Sequence, residues 1–321
     1  MQLKLGIIGA GHFGRFHALK ASKAPRVEFL GLADADPARA DAVAAEAGCR
    51  TWERDTLMAA ADALIIAAPT AFHHDLASRA IAAGCHVFVE KPIAATLAEA
   101  DALLAEAAAA GRVLQIGHIE RFSAGMATLS GSAGVGRPLY MEAVRIAPFR
   151  PRSLDVTVIL DLMIHDLDLA IALAGGSELV AVEAAGSAVV SEKIDIANAR
   201  LRFANGAQAT ITASRASLKM ERRLRVFGTE GYASLDFLAR EMKLVRPGQG
   251  QVLEQIPGHG IETLSWTDHD NLEAEQNAFV AACLEGGKLR VAADGPAGRA
   301  ALDAALRVEA AVVTSLRAAL G

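Results

Sequence analysis

Four groups of residues have types and spacings that suit chemistry on a small molecule. Gly9-Ala10-Gly11-His12-Phe13-Gly14 sets three glycines at the spacing of a phosphate-cradling turn. Such glycines allow a tight turn, close approach of backbone to a pyrophosphate, and close packing of a helix on a strand. A helix opening there adds unpaired N–H groups and a positive dipole end. Asp34 stands 20 residues beyond Gly14. A carboxylate at that distance can bind the ribose 2′-OH of NAD and repel the 2′-phosphate of NADP. Arg39 is close enough in sequence to complicate that choice. Glu90-Lys91-Pro92 closes an apolar run. A lysine there is either a solvated loop residue or stands at the sheet edge where ligands of open α/β sheets bind. Asp161 and His165 are four apart, which on a helix puts them on one face. That pair fits a metal site, a helix-surface pair, or a histidine that merely caps a core. No third ligand and no HExxH pattern accompanies it, so no metal is expected.

These residues need strands and helices to hold them. Up to about residue 118, short apolar runs alternate with helical stretches. Strands are expected over 3–8, 27–33, 63–68, 86–89 and 113–116, and helices over 12–24, 37–47, 72–83 and 96–110. Nearly continuous apolar strands are typical of a parallel sheet covered on both faces. The alternation predicts a doubly wound α/β domain. The glycine turn then joins the first strand to the first helix, Asp34 ends the second strand, and Lys91 follows the fourth. Pro37 suits the first turn of its helix. After Gly136 the pattern changes. Runs 197–204 and 207–213 alternate in period two around Asn205-Gly206, a strong hairpin signal. Ala199, Leu201 and Phe203 share one face and Arg200 and Arg202 the other, as in an antiparallel sheet with one wet side. Gly228-Thr229-Glu230-Gly231 reads as another turn, and helical patterns return over 161–174 and from about Asn271. The second domain is expected to be α+β with a largely antiparallel sheet. The sequence has no fixed-period repeat and no low-complexity linker.

Composition excludes several classes. A length of 321 residues suggests about two domains and supports buried cores without a metal or disulfide staple. Apolar residues make up 52%, with much of the excess in alanine. The longest clean apolar run, 63–69, is seven residues, against roughly 18 for a membrane span. Three cysteines leave an odd thiol, and no CxxC pair occurs, which argues against a disulfide scaffold or a thiol metal site. The first strand begins by Leu3, so no signal peptide is expected and the setting reads as cytoplasmic. A net charge of −5 and a pI near 6.0 argue against nucleic acid as a partner.

The order of the motifs resembles the Gfo/Idh/MocA oxidoreductase family over essentially the whole length. The resemblance runs through GIIGAGHFG, LADADP, the Ala68-Pro69-Thr70 turn with His73, VEKP, the Asp161…His165 motif and the Gly228–Gly231 turn. It implies an NAD-binding Rossmann domain over 1–118. A substrate-binding α+β domain follows over 119–321, whose open sheet would pair subunits in a homodimer or homotetramer. The C-terminal helix could pack back on the first domain. The resemblance makes Lys91, Asp161 and His165 the catalytic set and makes the Lys91–Pro92 bond cis. It assigns cofactor contacts to Gly9, Gly11, His12, Phe13 and Gly14 in the turn, to Asp34, and to Pro69, Thr70, His73, Glu90 and Lys91, with NAD preferred to NADP. Thr70 either touches the cofactor or caps the following helix. Oxidising a secondary alcohol sends hydride to the cofactor and a proton to the protein, so a base must reach the hydroxyl. His165 can take a proton near neutral pH. Lys91 can orient the oxygen, relay the proton or stabilise charge, and either residue can be the formal base.

Two further segments bear on the substrate, Gly117-His118-Ile119-Glu120-Arg121-Phe122 and Ala147-Pro148-Phe149-Arg150-Pro151-Arg152-Ser153, which leads towards Asp155-Val156. The first, followed by the DLMIHD motif, resembles the branch that oxidises the 3-hydroxyl of UDP-N-acetylglucosamine. By that resemblance His118, Arg121, Arg150, Arg152, Asp161 and His165 contact the substrate. Arg121, Arg145, Arg150 and Arg152 form a locally basic strip suited to diphosphate oxygens, or else pair with acids such as Glu120 and Asp155. His118 is either a substrate residue or a structural one. DLMIHD also resembles the inositol dehydrogenase pattern, and a dehydrogenase of free polyols or sugars has no need of the arginines. A non-catalytic NAD-binding regulator is the other alternative, since fold does not fix function. The intact Lys91, Asp161 and His165 set argues against it.

Overall fold

The computed structural model describes residues 2–132, 134–150, 156–286 and 292–320. The chain forms two compact units, Met1–Arg121 with Asp270–Leu302, and Phe122–His269 with Asp303–Gly321. The stretch 119–321 is therefore not a single body, because the chain returns to the first unit over 270–302.

The first unit is built on a parallel sheet of β1 (Leu3–Ile8), β2 (Val27–Ala33), β3 (Ala63–Ile66), β4 (His86–Glu90) and β5 (Leu114–Gly117), in the order β2-β1-β3-β4-β5. That is a doubly wound order whose direction switches between β1 and β3, the place where such sheets bind ligands. Its helices are α1 (His12–Ala21), α2 (Pro37–Ala47), α3 (Arg54–Ala60), α4 (His73–Ala82) and α5 (Leu97–Ala110). Their ends follow local chemistry. Asp36 caps α2 by accepting from the Ala38 and Arg39 N–H groups, Pro37 occupies the first turn, and Gly48 closes the helix at φ 66°. Thr96 and Glu99 form a reciprocal capping box on α5. The short helix α3 lies outside the helices that the sequence pattern predicts. Glu53 caps it, and it buries only Leu57 and Met58. The strands carry the core. Leu5, Ile7, Ile65 and Phe88 are fully buried in one cluster, each contributing about 1.5–3 kcal/mol by removal from water.

The second unit is built on a nine-stranded sheet. Its strands are β6 (Pro138–Ile146), β7 (Leu179–Ser187), β8 (Ile196–Phe203), β9 (Gln208–Ser214), β10 (Glu221–Gly228), β11 (Tyr232–Asp236), β12 (Glu241–Pro247), β13 (Gln251–Val252) and β14 (His259–Ser265). They lie in the order β13-β14-β12-β11-β10-β6-β9-β8-β7. Within it β6 and β9 run parallel and the other neighbours antiparallel. The predicted hairpin at Asn205-Gly206 joins β8 to β9, and Ala197, Ala199, Leu201 and Phe203 point inward while alternate residues face out. Helices α6 (Ala124–Gly131) and α7 (Ile164–Leu173) belong to this unit, and α7 packs on β6 and β9. The closing stretch supplies α8 (Asn271–Leu284) and the start of α9 (Gly295–Leu320) to the first unit, and the rest of α9 to the second. Among the described residues no helix is long and apolar enough to cross a membrane.

Candidate active site

The first unit gathers its chemistry at the carboxyl ends of β1, β2, β3 and β4. Gly9 adopts φ 103°, and a Cβ there would stand 2.5 Å from the Ala67 carbonyl oxygen, so the turn after β1 lies directly against the one after β3. A Cβ at Gly14 would overlap the Gly9 carbonyl, whereas one at Gly11 would meet nothing within 4 Å. Gly9 and Gly14 are thus demanded by the protein's own packing, and Gly11 leaves open space beside the start of α1. Gly11 is the N-cap of that helix, with no side-chain cap and no acid in the first turn. The N-terminal N–H groups and the positive dipole end therefore face an open side. His12 and Phe13 are exposed, and the His12 ring stands edge-on to Phe13 and Phe16.

Asp34, at the end of β2, is pinned in place. Its Oδ2 accepts from Ala10 N–H at 2.6 Å, and its Oδ1 accepts from Asp36 N–H at 2.8 Å and from Arg39 Nε at 3.3 Å. The carboxylate thereby ties the glycine turn to the second strand. Arg39, half exposed, also reaches Asp36, so its guanidinium is already committed to two acids. An uncapped helix start, an open glycine and a fixed carboxylate fit a dinucleotide.

Lys91 follows β4 directly and is half-buried, and the Lys91–Pro92 peptide is cis. Two of the expected cofactor ligands beside it turn inward instead. The Glu90 carboxylate is buried, with Oε1 on His17 Nε2 at 2.9 Å and Oε2 on the Lys91 backbone N–H at 3.3 Å. The His73 ring is 1% exposed, with Nδ1 2.7 Å from the Pro92 carbonyl and Nε2 2.8 Å from the Ala68 carbonyl. Both nitrogens are spent on protein backbone, so His73 clasps the Lys91–Pro92 turn to the turn after β3. Burial pushes the His73 imidazole below its ordinary pKa, against the pull of the two carbonyls and Glu90. Pro69 is exposed and Thr70 half-buried in a 3₁₀ turn, Thr70–Phe72, that leads into α4. No side chain caps that turn or α4, so Thr70 does not act as the helix cap.

Asp161 and His165 lie in the second unit. The segment carrying them opens as a π-helical turn, Ile159–Met163, before α7. A π turn bonds i to i+5, so the simple four-residue stacking expected for the pair is widened at its start. Both residues still stay half-exposed, while Met163, Ile164, Asp166 and Leu167 are buried. Among the described residues no group of three or more His, Cys, Asp or Glu could hold a metal ion.

Two of the four arginines of the basic strip are engaged within the protein. Arg145 is buried and forms a two-pronged pair with Asp166, Nε to Oδ2 at 2.7 Å and Nη2 to Oδ1 at 3.0 Å. Its partner is neither of the acids the sequence suggested, because β6 alternates and Arg145 falls on the inward side with Met141 and Ala143. Arg121 donates to the Ala292 carbonyl at 2.5 Å, so part of its guanidinium is spent holding the returning chain of its own unit. His118 is buried. Arg150 is exposed, and Arg152 lies outside the described residues.

Comparison with known proteins agrees with this architecture. Residues 3–118 match the family model described as oxidoreductase family, NAD-binding Rossmann fold, and residues 132–234 match the GFO/IDH/MocA C-terminal domain. The chain is 42% identical to the UDP-N-acetylglucosamine 3-dehydrogenase of Acidithiobacillus ferrooxidans, over 99% of both chains. A solved structure of that enzyme superposes with a TM-score of 0.91, covering 98% of each chain. The inositol 2-dehydrogenase of Rhizobium meliloti is 31% identical over 96% of this chain and 97% of its own.

Proposed function

The chain belongs to the Gfo/Idh/MocA oxidoreductase family, and from that premise we propose that it uses NAD to oxidise the 3-hydroxyl of UDP-N-acetylglucosamine or a close nucleotide sugar. The observation that carries the substrate is the end-to-end identity of 42% to an enzyme of that name, against 31% to the inositol enzyme. The arginine strip adds less support than its sequence suggests, since Arg145 and part of Arg121 are engaged within the protein, while Arg150 is exposed.

In this reading the turn from Gly9 to Gly14 receives the pyrophosphate and Asp34 the ribose hydroxyls, which favours NAD over NADP through charge repulsion of a 2′-phosphate. NAD, when bound, supplies the hydride acceptor. Lys91 and His165 share two tasks, holding the sugar oxygen and accepting its proton. Asp161 orients His165 or the substrate. The first unit serves the cofactor and the second the substrate. In this reading, use of NAD on a nucleotide sugar suits a cytoplasmic setting.

The test is NADH absorbance with UDP-N-acetylglucosamine, other nucleotide sugars, free sugars and inositols, with the keto product trapped. The expected result is NADH formation with UDP-N-acetylglucosamine and at least about tenfold slower reaction with NADP, since a bad contact of ~1.4 kcal/mol is already a factor of ten. Turnover of inositol with none on the nucleotide sugar would replace this reading by the polyol one.

The same reading makes the protein a homo-oligomer. The outer face of the second unit's sheet carries an aromatic ladder across β6, β10 and β11, with Tyr140 exposed and Phe227 and Tyr232 half-buried. Tyr140 lies beside Phe227 at 5.8 Å, and Phe227 stacks on Tyr232 at 4.5 Å. Arg225 covers the rings and pairs with Glu142 at 2.8 Å. A patch mixing both charge signs around aromatics suits a two-fold contact with a second copy. Light scattering should give a dimer or tetramer mass, and a monomer at micromolar concentration would refute the pairing.

A further inference from the structure

The buried pair beneath Lys91 has a role that the cofactor and substrate assignments leave unexplained. His17 sits on α1, completely buried, its ring edge-on to Phe88 at 5.1 Å. Its Nε2 meets Glu90 Oε1, and its Nδ1 has no hydrogen-bond partner among the described residues. Glu90 is thus the polar anchor of this imidazole. The other carboxylate oxygen accepts the Lys91 N–H. Room for the carboxylate is provided by Gly117, the register partner of Glu90 on β5, where a Cβ would stand 2.6 Å from Glu90 Oε2. A buried imidazole–carboxylate pair is a costly way to fill a core, since apolar residues of similar volume usually do as well or better. Here it links three things: the helix that begins at the glycine turn, the end of β4, and the backbone of Lys91.

We propose that His17 and Glu90 are positioning residues that fix the Lys91 backbone, and so its side chain, relative to the helix that begins at the glycine turn. This rests on Lys91 being the reactive lysine. With Nε2 of His17 against Oε1 and the Lys91 N–H against Oε2, the Glu90 carboxylate is held at both oxygens. Loss of the His17 contact lets the carboxylate rotate off the Lys91 N–H, and Lys91 loses a constraint without losing any group that touches the cofactor.

The test uses the full chain with His17→Leu, His17→Gln and Glu90→Gln. Glutamine can place its Nε2 donor near the position of the imidazole Nε2, so it restores the bond that leucine removes. Two readouts are taken. The first is kcat and KM for both substrates. The second is competitive acylation followed by peptide mass spectrometry, comparing Lys91 with the exposed Lys219 in the same molecule. The expected result is a kcat loss of about tenfold or more in His17→Leu, with NAD affinity within about threefold. Lys91 labelling should shift at least about twofold relative to Lys219, and both effects should be largely reversed in His17→Gln. Unchanged Lys91 labelling in His17→Leu would overturn the proposal. So would equal losses in the leucine and glutamine variants that follow melting temperature, or losses confined to NAD affinity. The labelling readout needs no turnover. A wild-type chain inactive on every sugar but with the expected labelling pattern would therefore count against the proposed activity and not against the positioning role.

Discussion

Lys91→Ala is expected to lower kcat by about 10²–10⁴, the usual worth of a positioned acid–base group, while NAD binding stays within a few-fold of wild type. The reason is the separation of duties within the first unit. In the proposed reading the dinucleotide is held by the open Gly11, the uncapped start of α1 and the Asp34 carboxylate, itself held by Ala10 and Asp36 N–H groups. None of these contacts uses the Lys91 side chain. Lys91→Arg should rescue poorly, because a planar guanidinium neither deprotonates nor occupies the place of a compact ammonium. Calorimetric titration with NAD and single-turnover NADH absorbance separate the two effects. Near-normal turnover in Lys91→Ala would remove the residue from the chemistry, and loss of NAD binding would make it a cofactor ligand instead.

Asp195→Ala is expected to cost the second unit about 3–5 kcal/mol, the penalty for stranding a buried partner charge. Asp195 is fully buried. Its Oδ2 accepts from three successive backbone N–H groups, Val189, Val190 and Ser191, at 2.8–2.9 Å. Its Oδ1 accepts from Ser191 Oγ at 2.7 Å and Arg215 Nε at 2.8 Å. Arg215 in turn donates to the Val156 carbonyl at 3.0 Å, just ahead of the π-helical turn that carries Asp161. The substitution should therefore lower the melting temperature by roughly ten degrees and also slow turnover.

The pH dependence of that contribution follows from the same contacts. Burial alone would raise the Asp195 pKa, but the backbone N–H donors, Arg215 and Ser191 outweigh it and hold the group well below the usual carboxylate range. A depressed folded pKa gives stability that is fully present above the unfolded value of about 3.9 and is lost as pH falls toward the folded one. The gap in stability between wild type and Asp195→Asn should stay constant from pH 7 to about 5 and shrink below pH 4. Thermal unfolding at pH 7 and pH 3 measures it, and a gap that widens in acid would contradict the assignment.

Features set by local chemistry were legible in the sequence. Asp36, Pro37 and Gly48 bound α2 at both ends because each acts on its own backbone. The alternation around Asn205-Gly206 registers β8 with β9 because one face must be dry. The glycine turn and Asp34 were placed by their spacing, whereas the contact between Asp34 and Ala10, 24 residues apart, was not readable. What needed distant partners was not. His17 and Glu90 lie 73 residues apart, and the one available sign was a histidine on the buried stripe Gly14, His17, Ala18, Ala21 of α1. Arg145 carried a comparable sign, a charge on the inward alternation of β6, but its acid is 21 residues away on α7. The widened turn at Ile159–Met163 spans a single repeat and leaves no period to detect.

The place of β6 in its sheet bears on how the protein is made. Its neighbours are β9 and β10, both synthesised well after it. A parallel partner requires a crossover connection, and this crossover contains the π-helical turn, α7 and the β7–β8 hairpin. As the chain leaves the ribosome, β6 must wait unpaired for about 60 residues, several seconds at the usual pace of translation. The segment bearing Asp161 and His165 emerges during that wait, before the sheet that α7 packs against exists. The placement of these two residues therefore depends on non-local contacts, since α7 packs on both β6 and β9.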